Sequence, residues 1–375
     1  MSMPPRRAQL LQLSRGGFRE RCSNVKIALV SPLYEAVPPR LYGGTERIVA
    51  YLADALVDLG HDVTLFASGD ARTKAKLVAA RDQALRLDPA PLKSDVAAHL
   101  SMLHTIRRRA RAFDVIHFNI DPIQYPMFED FAAKTLTTLH GRLDLKDLPE
   151  MYRLWPQYRL VSISNNQRRP LAFANWAGTV YHGLPKQLLK FSRSGGDYLA
   201  FLGRISPEKR PDRAIALARR AGMKLKIAAK VDAADLDYYT REIEPLIDGN
   251  EVEFVGEIGE KEKNAFLGNA AALLFPIDWP EPFGLVMIEA MACGTPVIAW
   301  NCGSVPEVID DGVTGFVVSS DEEAFAAIRC LDELDRARIR EVFERRFTAD
   351  VMARNYSVLY SRIALRDVDD VMQPA

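Results

Sequence analysis

The feature that most limits what this chain can fold into is an alternation met twice. Short apolar runs rich in β-branched residues are followed by loops, and then by stretches whose apolar positions recur at helical spacing. In the first half, VKIALVSP (Val25–Pro32), HDVTLFAS (His61–Ser68), DVIHFN (Asp114–Asn119), KTLTTLHG (Lys134–Gly141), RLVSIS (Arg159–Ser164) and TVYHG (Thr179–Gly183) read as strands. A polar stretch with two adjacent glycines, LPKQLLKFSRSGGD (Leu184–Asp197), interrupts the pattern and reads as a linker. The alternation restarts with YLAFLGRI, KLKIAAKV, VEFVGEI, ALLFPID, PVIAW and TGFVV. Strands that alternate with helices form a parallel sheet covered on both faces, so the chain predicts two α/β units with a cleft between them. Ligands of such sheets bind outside the carboxyl ends of the strands, which directs attention to the loops that follow them.

Composition removes several classes. The four cysteines (Cys22, Cys293, Cys302, Cys330) form no CxxC pair and no metal-ligand spacing, which points to a reducing compartment, the cytoplasm. No apolar run is long enough to span a membrane. Residues 1–24 are Arg-rich with only a short LLQL stretch and read as a flexible extension. The formal net charge is zero, yet residues 1–182 carry +8 and the remainder −8, an asymmetry that favours anionic surfaces only where the charges cluster. No nucleic-acid partner is expected.

The chemistry concentrates in EPFGLVMIEAMACGTPVIAW (Glu281–Trp300). From Phe283 to Cys293 the only charged side chain is Glu289, the composition of a helix buried nearly all round. That helix follows the strand ALLFPID and the loop DWPEP, so its free backbone N–H groups, around Phe283, Gly284, Leu285 and Val286, form an anion site at the ligand edge. Glu289 lies about one and a half turns further in, where an ionised carboxylate is costly to bury without donors; a ribose diol supplies two, and an ion pair with a neighbouring Arg is the simpler alternative. At the start of the same unit, Arg204 and Lys209 of GRISPEK follow a strand end, placed to hold a pyrophosphate opposite the helix mouth.

FLGRISPEKRPD, FVGEI and EPFGLVMIEAMACGTPVIAWNCGSVPEVIDDGVTGFVV together resemble the retaining GT-B glycosyltransferases of family 4, over roughly Val25 to Leu365. Glu281 and Glu289, separated by seven residues, match the Glu-x7-Glu signature of that family. The resemblance implies a fold of two Rossmann-like domains facing each other across a cleft, with a C-terminal helix crossing back to the first. The expected division is an extension to residue 24, an acceptor-side domain over 25–183, a linker over 184–197, a donor-side domain over 198–349, the crossing helix over 350–366 and a tail over 367–375. It also implies roles: Glu289 on the ribose, Glu281 on the donor sugar, Arg204 and Lys209 on the pyrophosphate, and the backbone of Phe283–Val286 on sugar and phosphate. Ile258 would face the base, Gly43 and Gly44 of YGGTER would approach donor and acceptor, and His140 of TLHG would contact the donor sugar. Gly141 follows where the family often has Asp, a departure on the acceptor side.

The implied function is metal-independent transfer, with retention, from a nucleotide sugar, a UDP-hexose, to a glycan, lipid-linked or small-molecule hydroxyl acceptor. No cofactor is expected, and Asp235-Leu236-Asp237, which spells the DxD of metal-dependent transferases, reads as a solvated helix face. Arg107, Arg108, Arg109 and Arg111 end a helical stretch, where cations complement the helix dipole; the other reading is a weak peripheral patch for anionic lipid at the inner face of the membrane. A nicotinamide enzyme or epimerase would need G-x-G-x-x-G directly after the first strand, and the loop LYEAVPPRLYGGTER lacks it. A non-catalytic scaffold that binds a sugar nucleotide or glycan is the remaining alternative.

Overall fold

The computed structural model describes residues 24–40 and 43–372; the extension, with Cys22, lies almost wholly outside them, as does the end of the tail. Two parallel sheets organise the chain. The first has seven strands: β1 (Lys26–Val30), β2 (Asp62–Ser68), β3 (Lys76–Arg81), β4 (Val115–Phe118), β5 (Thr135–Thr138), β6 (Leu160–Ser162) and β7 (Trp176–Thr179). Their spatial order is β3-β2-β1-β4-β5-β6-β7. The second sheet comprises β8 (Tyr198–Ile205), β9 (Lys224–Val231), β10 (Val252–Gly256), β11 (Ala270–Phe275), β12 (Val297–Trp300) and β13 (Gly315–Val318), in the order β10-β9-β8-β11-β12-β13. Each order reverses once, between β1 and β4 and between β8 and β11. Those reversals open the crevices where ligands of such sheets sit.

Two sequence expectations need correction. The edge strand β3 was not anticipated, because KLVAAR is half exposed along its length and begins in a lysine-rich turn rather than an apolar run. The expected strand at Thr179–Gly183 starts earlier, as β7 ends at Thr179. Beyond it, Tyr181 donates its hydroxyl to Glu307 in the second domain (3.0 Å), and the chain is already leaving the sheet.

Helix α1 (Gly44–Asp58) carries Ile48, Val49, Leu52, Ala53 and Leu56 on one stripe, the spacing that buries one helical face. It covers one face of the first sheet together with the terminal helix, and α2 (Asp95–Arg109) covers the other through Met102, Leu103 and Ile106. Ser94 caps α2 by accepting the Ala97 N–H. The second sheet is covered by α3 (Pro211–Ala221) on one face. On its other face lie α4 (Glu260–Gly268), α5 (Leu285–Cys293) and α6 (Arg336–Arg346). Seven of the nine residues of α5, Met287 to Cys293, are buried. At about 1.5–3 kcal/mol for each large apolar side chain removed from water, this helix anchors the second core.

The last helix, α7 (Ala349–Met372), leaves α6 in the second domain and packs on the first, as expected of a crossing helix. Its return crosses the chain at Leu184, where Leu184 N–H reaches the Phe347 carbonyl (2.9 Å) and Ala349 N–H reaches the Leu184 carbonyl (2.8 Å). Gly183 permits this approach, since a Cβ there would stand 2.3 Å from the Thr348 carbonyl oxygen. The segment read as a polar linker is therefore partly core, with Leu184 and Leu189 buried.

The polar floor under α7 is fully buried. His117 Nδ1 meets the Tyr360 hydroxyl and its Nε2 meets Thr138 Oγ1, both at 2.7 Å, and Thr138 in turn meets the Tyr356 hydroxyl at 2.8 Å. Burial holds the His117 ring neutral, with its pKa pushed down to about 3. The unfolded chain binds the proton at the ordinary histidine value, about 6.5. Stability from this group is therefore complete above that value and is lost as pH falls towards the folded value, at roughly 1.4 kcal/mol per pH unit. Urea unfolding at pH 7 and pH 5 is expected to show a lower stability at pH 5, with a smaller difference in His117→Gln; an identical difference in both proteins would contradict the assignment.

Candidate functional site

The carboxyl ends of β1, β4 and β5 face those of β8 and β11 across a cavity of about 710 Å³ lined by both domains. It brings together every residue expected at a donor site: Gly43, Gly44, His140, Arg204, Lys209, Ile258, Glu281, Phe283, Gly284, Leu285, Val286 and Glu289. Gly43 caps α1 and Gly44 is its first residue.

The mouth of α5 is built by Gly284, which adopts a left-handed conformation (φ 78°) at the N-cap. A Cβ there would meet the Met287 methyl at 2.8 Å and the Phe275 ring at 3.1 Å, so only glycine turns the chain into the helix here. The helix begins at Leu285, two residues later than its composition suggested, which leaves the backbone of Gly284 to Val286 at its open end, while the Met287 N–H reaches the Gly284 carbonyl at 3.1 Å. Phe283 is buried behind the mouth, its carbonyl accepting the Ser304 hydroxyl at 2.8 Å.

Glu289 is ion-paired. Arg47 Nη1 (2.9 Å) and Lys263 Nζ (2.7 Å) both donate to its Oε1, and its side chain is 1% exposed. Burial raises the carboxyl pKa, but Lys263 and then Arg47 outweigh it and hold Glu289 below its ordinary value. The ion pair that the sequence left as the simpler alternative is thus present, with a second cation beside it. Arg47 belongs to α1 of the first domain, whereas Lys263 belongs to α4 of the second. Tyr51, one turn after Arg47, adds a further cross-domain bond by donating to Glu260 Oε2 at 2.9 Å.

The expected phosphate cations are likewise engaged. Lys209 pairs with Glu281 and lies over the Trp279 ring, 5.0 Å from its centroid. Arg204 meets Glu208 at 2.7 Å, and Asp232 and Asp235 at 3.6 Å each. This corrects the reading of the DxD. Asp237 is exposed and pairs with Arg241, but Asp235 is partly buried against Arg204 in a broken helical turn. Among the described residues, no three His, Cys, Asp or Glu side chains group as a metal site.

His140 is clamped with a defined tautomer. Asn119 Nδ2 donates to the Val30 carbonyl (3.3 Å), so its Oδ1 faces His140 Nε2 at 3.0 Å and that nitrogen carries the proton. His140 Nδ1 is consequently a buried acceptor without a partner among the described residues. Burial lowers the His140 pKa to about 4, which keeps the ring neutral. His182 stacks on it at 5.3 Å and 16°, with its own Nδ1 buried and unpartnered among the described residues, and lies 4.9 Å from the Phe283 ring.

The four arginines at the end of α2 differ in their partners. Arg107 is held by Asp130 and lies over Phe131, and Arg109 lies over the Phe66 ring at 5.6 Å. Arg108 and Arg109 are exposed in the last turn of α2, and Arg111 is exposed in the short 3₁₀ turn that follows. No helix among the described residues is long and apolar enough to cross a membrane.

Sequence reasoning missed Arg47, Tyr51, Lys263, Glu260 and His182. The need for counter-charges on Glu289 was evident, but the identity of Arg47, 242 positions away, was not.

Residues 190–339 match the family described as Glycosyl transferases group 1, and residues 42–217 match Glycosyltransferase Family 4. D-inositol 3-phosphate glycosyltransferase of Mycobacterium tuberculosis (strain ATCC 25618 / H37Rv) is 37% identical over 128 residues, 33% of this chain. The match spans 26% of that relative's length. Sucrose-phosphate synthase of Thermosynechococcus elongatus superposes with a TM-score of 0.71 at 21% identity, over 91% of this chain and 100% of that one. Anabaena Alr3699/HepE, solved in complex with UDP and glucose, superposes with a TM-score of 0.69 at 18% identity, over 90% and 100%. These likenesses establish the two-domain Rossmann-like GT-B fold.

Removing Lys263 isolates its contribution to the buried cluster. Lys263→Met is expected to lower the unfolding free energy by about 1.5–3 kcal/mol, the size of a charge-assisted hydrogen bond, and Lys263→Arg to retain most of it. Equal stability of Lys263→Met and the parent in urea would show that Glu289 does not depend on this cation.

Proposed function

Because the chain belongs to the group 1 and family 4 glycosyltransferases, we propose that it transfers a hexosyl group from a UDP-sugar to a hydroxyl acceptor, with retention and without a divalent ion. The observation that carries this reading is the convergence of Arg204, Lys209 and the open end of α5 at the carboxyl ends of β8 and β11, with Glu289 behind them. The preference for uridine is supported by the Anabaena structure with UDP and glucose.

In this reading the pyrophosphate lies between Arg204, Lys209 and the N–H groups of α5, the sugar between Glu281 and His140, and the base by Ile258. The acceptor oxygen attacks the anomeric carbon as the bond from that carbon to the β-phosphate oxygen breaks. The electron pair leaves with UDP, and the acceptor proton passes to the departing phosphate. Charge developing there is met by fixed cations and helix-end N–H groups, which is where preorganised electrostatics lowers a barrier. The pairs Lys209–Glu281 and Arg204–Glu208 hold these groups in the cleft until phosphate competes for the cations. His140 Nδ1, an acceptor, fits a sugar hydroxyl and not a phosphate.

The test is nucleoside-diphosphate release from UDP-, GDP- and ADP-sugars in EDTA, for the parent, Arg204→Ala and Glu281→Ala. Slow release from a UDP-hexose, reduced at least about a hundredfold in both variants, is the expected result. Binding without release in the presence of acceptors would favour a scaffold, and loss of release in EDTA would overturn metal independence.

A further inference from the structure

The ion pair on Glu289 has a geometry that a purely structural pair does not need. An arginine presents a planar fork that can take both oxygens of a carboxylate, and Arg142 does so on Asp144, at 2.7 and 2.8 Å. Arg47 instead donates Nη1 to Glu289 Oε1 (2.9 Å), the same oxygen that receives Lys263 Nζ (2.7 Å). Glu289 Oε2 accepts no hydrogen bond among the described residues, although the side chain is 1% exposed and lines the cavity. One oxygen of a buried charge is thus doubly served and the other is left for a ligand that donates.

The neighbouring carboxylate shows that both cations are committed to Glu289. Glu260 Oε1 lies 3.7 Å from Arg47 Nη1 and 3.6 Å from Lys263 Nζ, and it is buried without a hydrogen-bond partner among the described residues. Glu260 is held through its other oxygen, which accepts the Tyr51 hydroxyl at 2.9 Å. Gly44, Arg47 and Tyr51 share one face of α1. That face reaches the mouth of α5, since a Cβ on Gly44 would lie 3.8 Å from the Leu285 side chain.

Resting on the donor reading above, we propose that Arg47 is a positioning residue for the donor nucleotide, holding Glu289 so that Oε2 meets the ribose hydroxyls. Lys263 alone supplies the counter-charge that a buried carboxylate requires. What Arg47 adds is direction. A carboxylate with a single donor is free to turn about its last side-chain torsion, which has only a broad twofold preference. Two donors on one oxygen, brought from two domains, fix its plane. The first domain therefore takes part in reading the nucleotide, through a side chain that acts on Glu289.

Calorimetric titration of UDP and 2′-deoxy-UDP into the parent, Arg47→Met, Arg47→Lys and Tyr51→Phe tests this through the ratio of the two dissociation constants. The parent is expected to prefer UDP at least about tenfold, and Arg47→Met to reduce that preference to about threefold or less. Arg47→Lys keeps a cation for Oε1, and Tyr51→Phe breaks only the neighbouring cross-domain bond; both are expected to retain most of the preference. A merely structural role would change stability and weaken both ligands together, leaving the ratio where it was. An unchanged ratio in Arg47→Met, or an equal fall in Tyr51→Phe, would overturn the proposal. Arg47→Gln, too short to span the same distance, gives the same reading where the methionine variant does not fold. No preference for UDP in the parent would overturn the assignment of Glu289 to the ribose and this proposal with it; a parent preference that survives in Arg47→Met overturns this one alone.

Discussion

A single carboxylate inside an apolar helix sets the terms for the rest of this structure. Helix α5 must be buried to complete the second core, and it carries Glu289 with it into a site where an unpaired charge is untenable. The two cations that answer it come from opposite sides of the cleft, Lys263 from the second domain and Arg47 from the first. The charge therefore ties the two domains together. Tyr51 on Glu260, and the return of α7 beneath Leu184, complete an interface in which the cleft is a product of the packing.

The same arrangement explains how the site can be stable and still receptive. Glu289 is kept ionised by its cations, and an ionised carboxylate is what ribose hydroxyls need as an acceptor. Lys209 and Arg204 likewise rest on Glu281 and Glu208, carboxylates that a pyrophosphate can replace as partners. The cations thus need no long excursion from solvent, which limits the entropy lost on binding.

Much of the fold was legible because buried parallel strands leave long apolar runs, and eleven such runs were read in nearly the right places. Strand β3 escaped because an edge strand with exposed lysine and arginine has no such run. That these residues line the cavity was legible from local context: Gly284 before an apolar helix, and Arg204 and Lys209 after a strand. What was not legible depends on contacts across the fold. Arg47 in YGGTER and Lys263 in GEKEK look like surface charges until the tertiary structure places them on Glu289. Asp235 looked solvated because a regular helix was assumed, whereas the chain changes from 3₁₀ to α to π within eleven residues and turns that carboxylate towards Arg204. His182 carried no local signal, since its meaning lies in the stacked His140 ring and the Phe283 edge.

The claim on which the rest turns is that Glu289 serves the ribose as well as the domain interface. Calorimetric titration with UDP and with 2′-deoxy-UDP, in the parent and in Glu289→Gln, tests it directly. A lost charge-assisted hydrogen bond of about 1.5–3 kcal/mol predicts that the parent binds the deoxy ligand at least tenfold more weakly, and that the difference shrinks in Glu289→Gln. Equal affinity of the parent for both ligands would contradict the assignment and leave Glu289 as a structural ion pair alone.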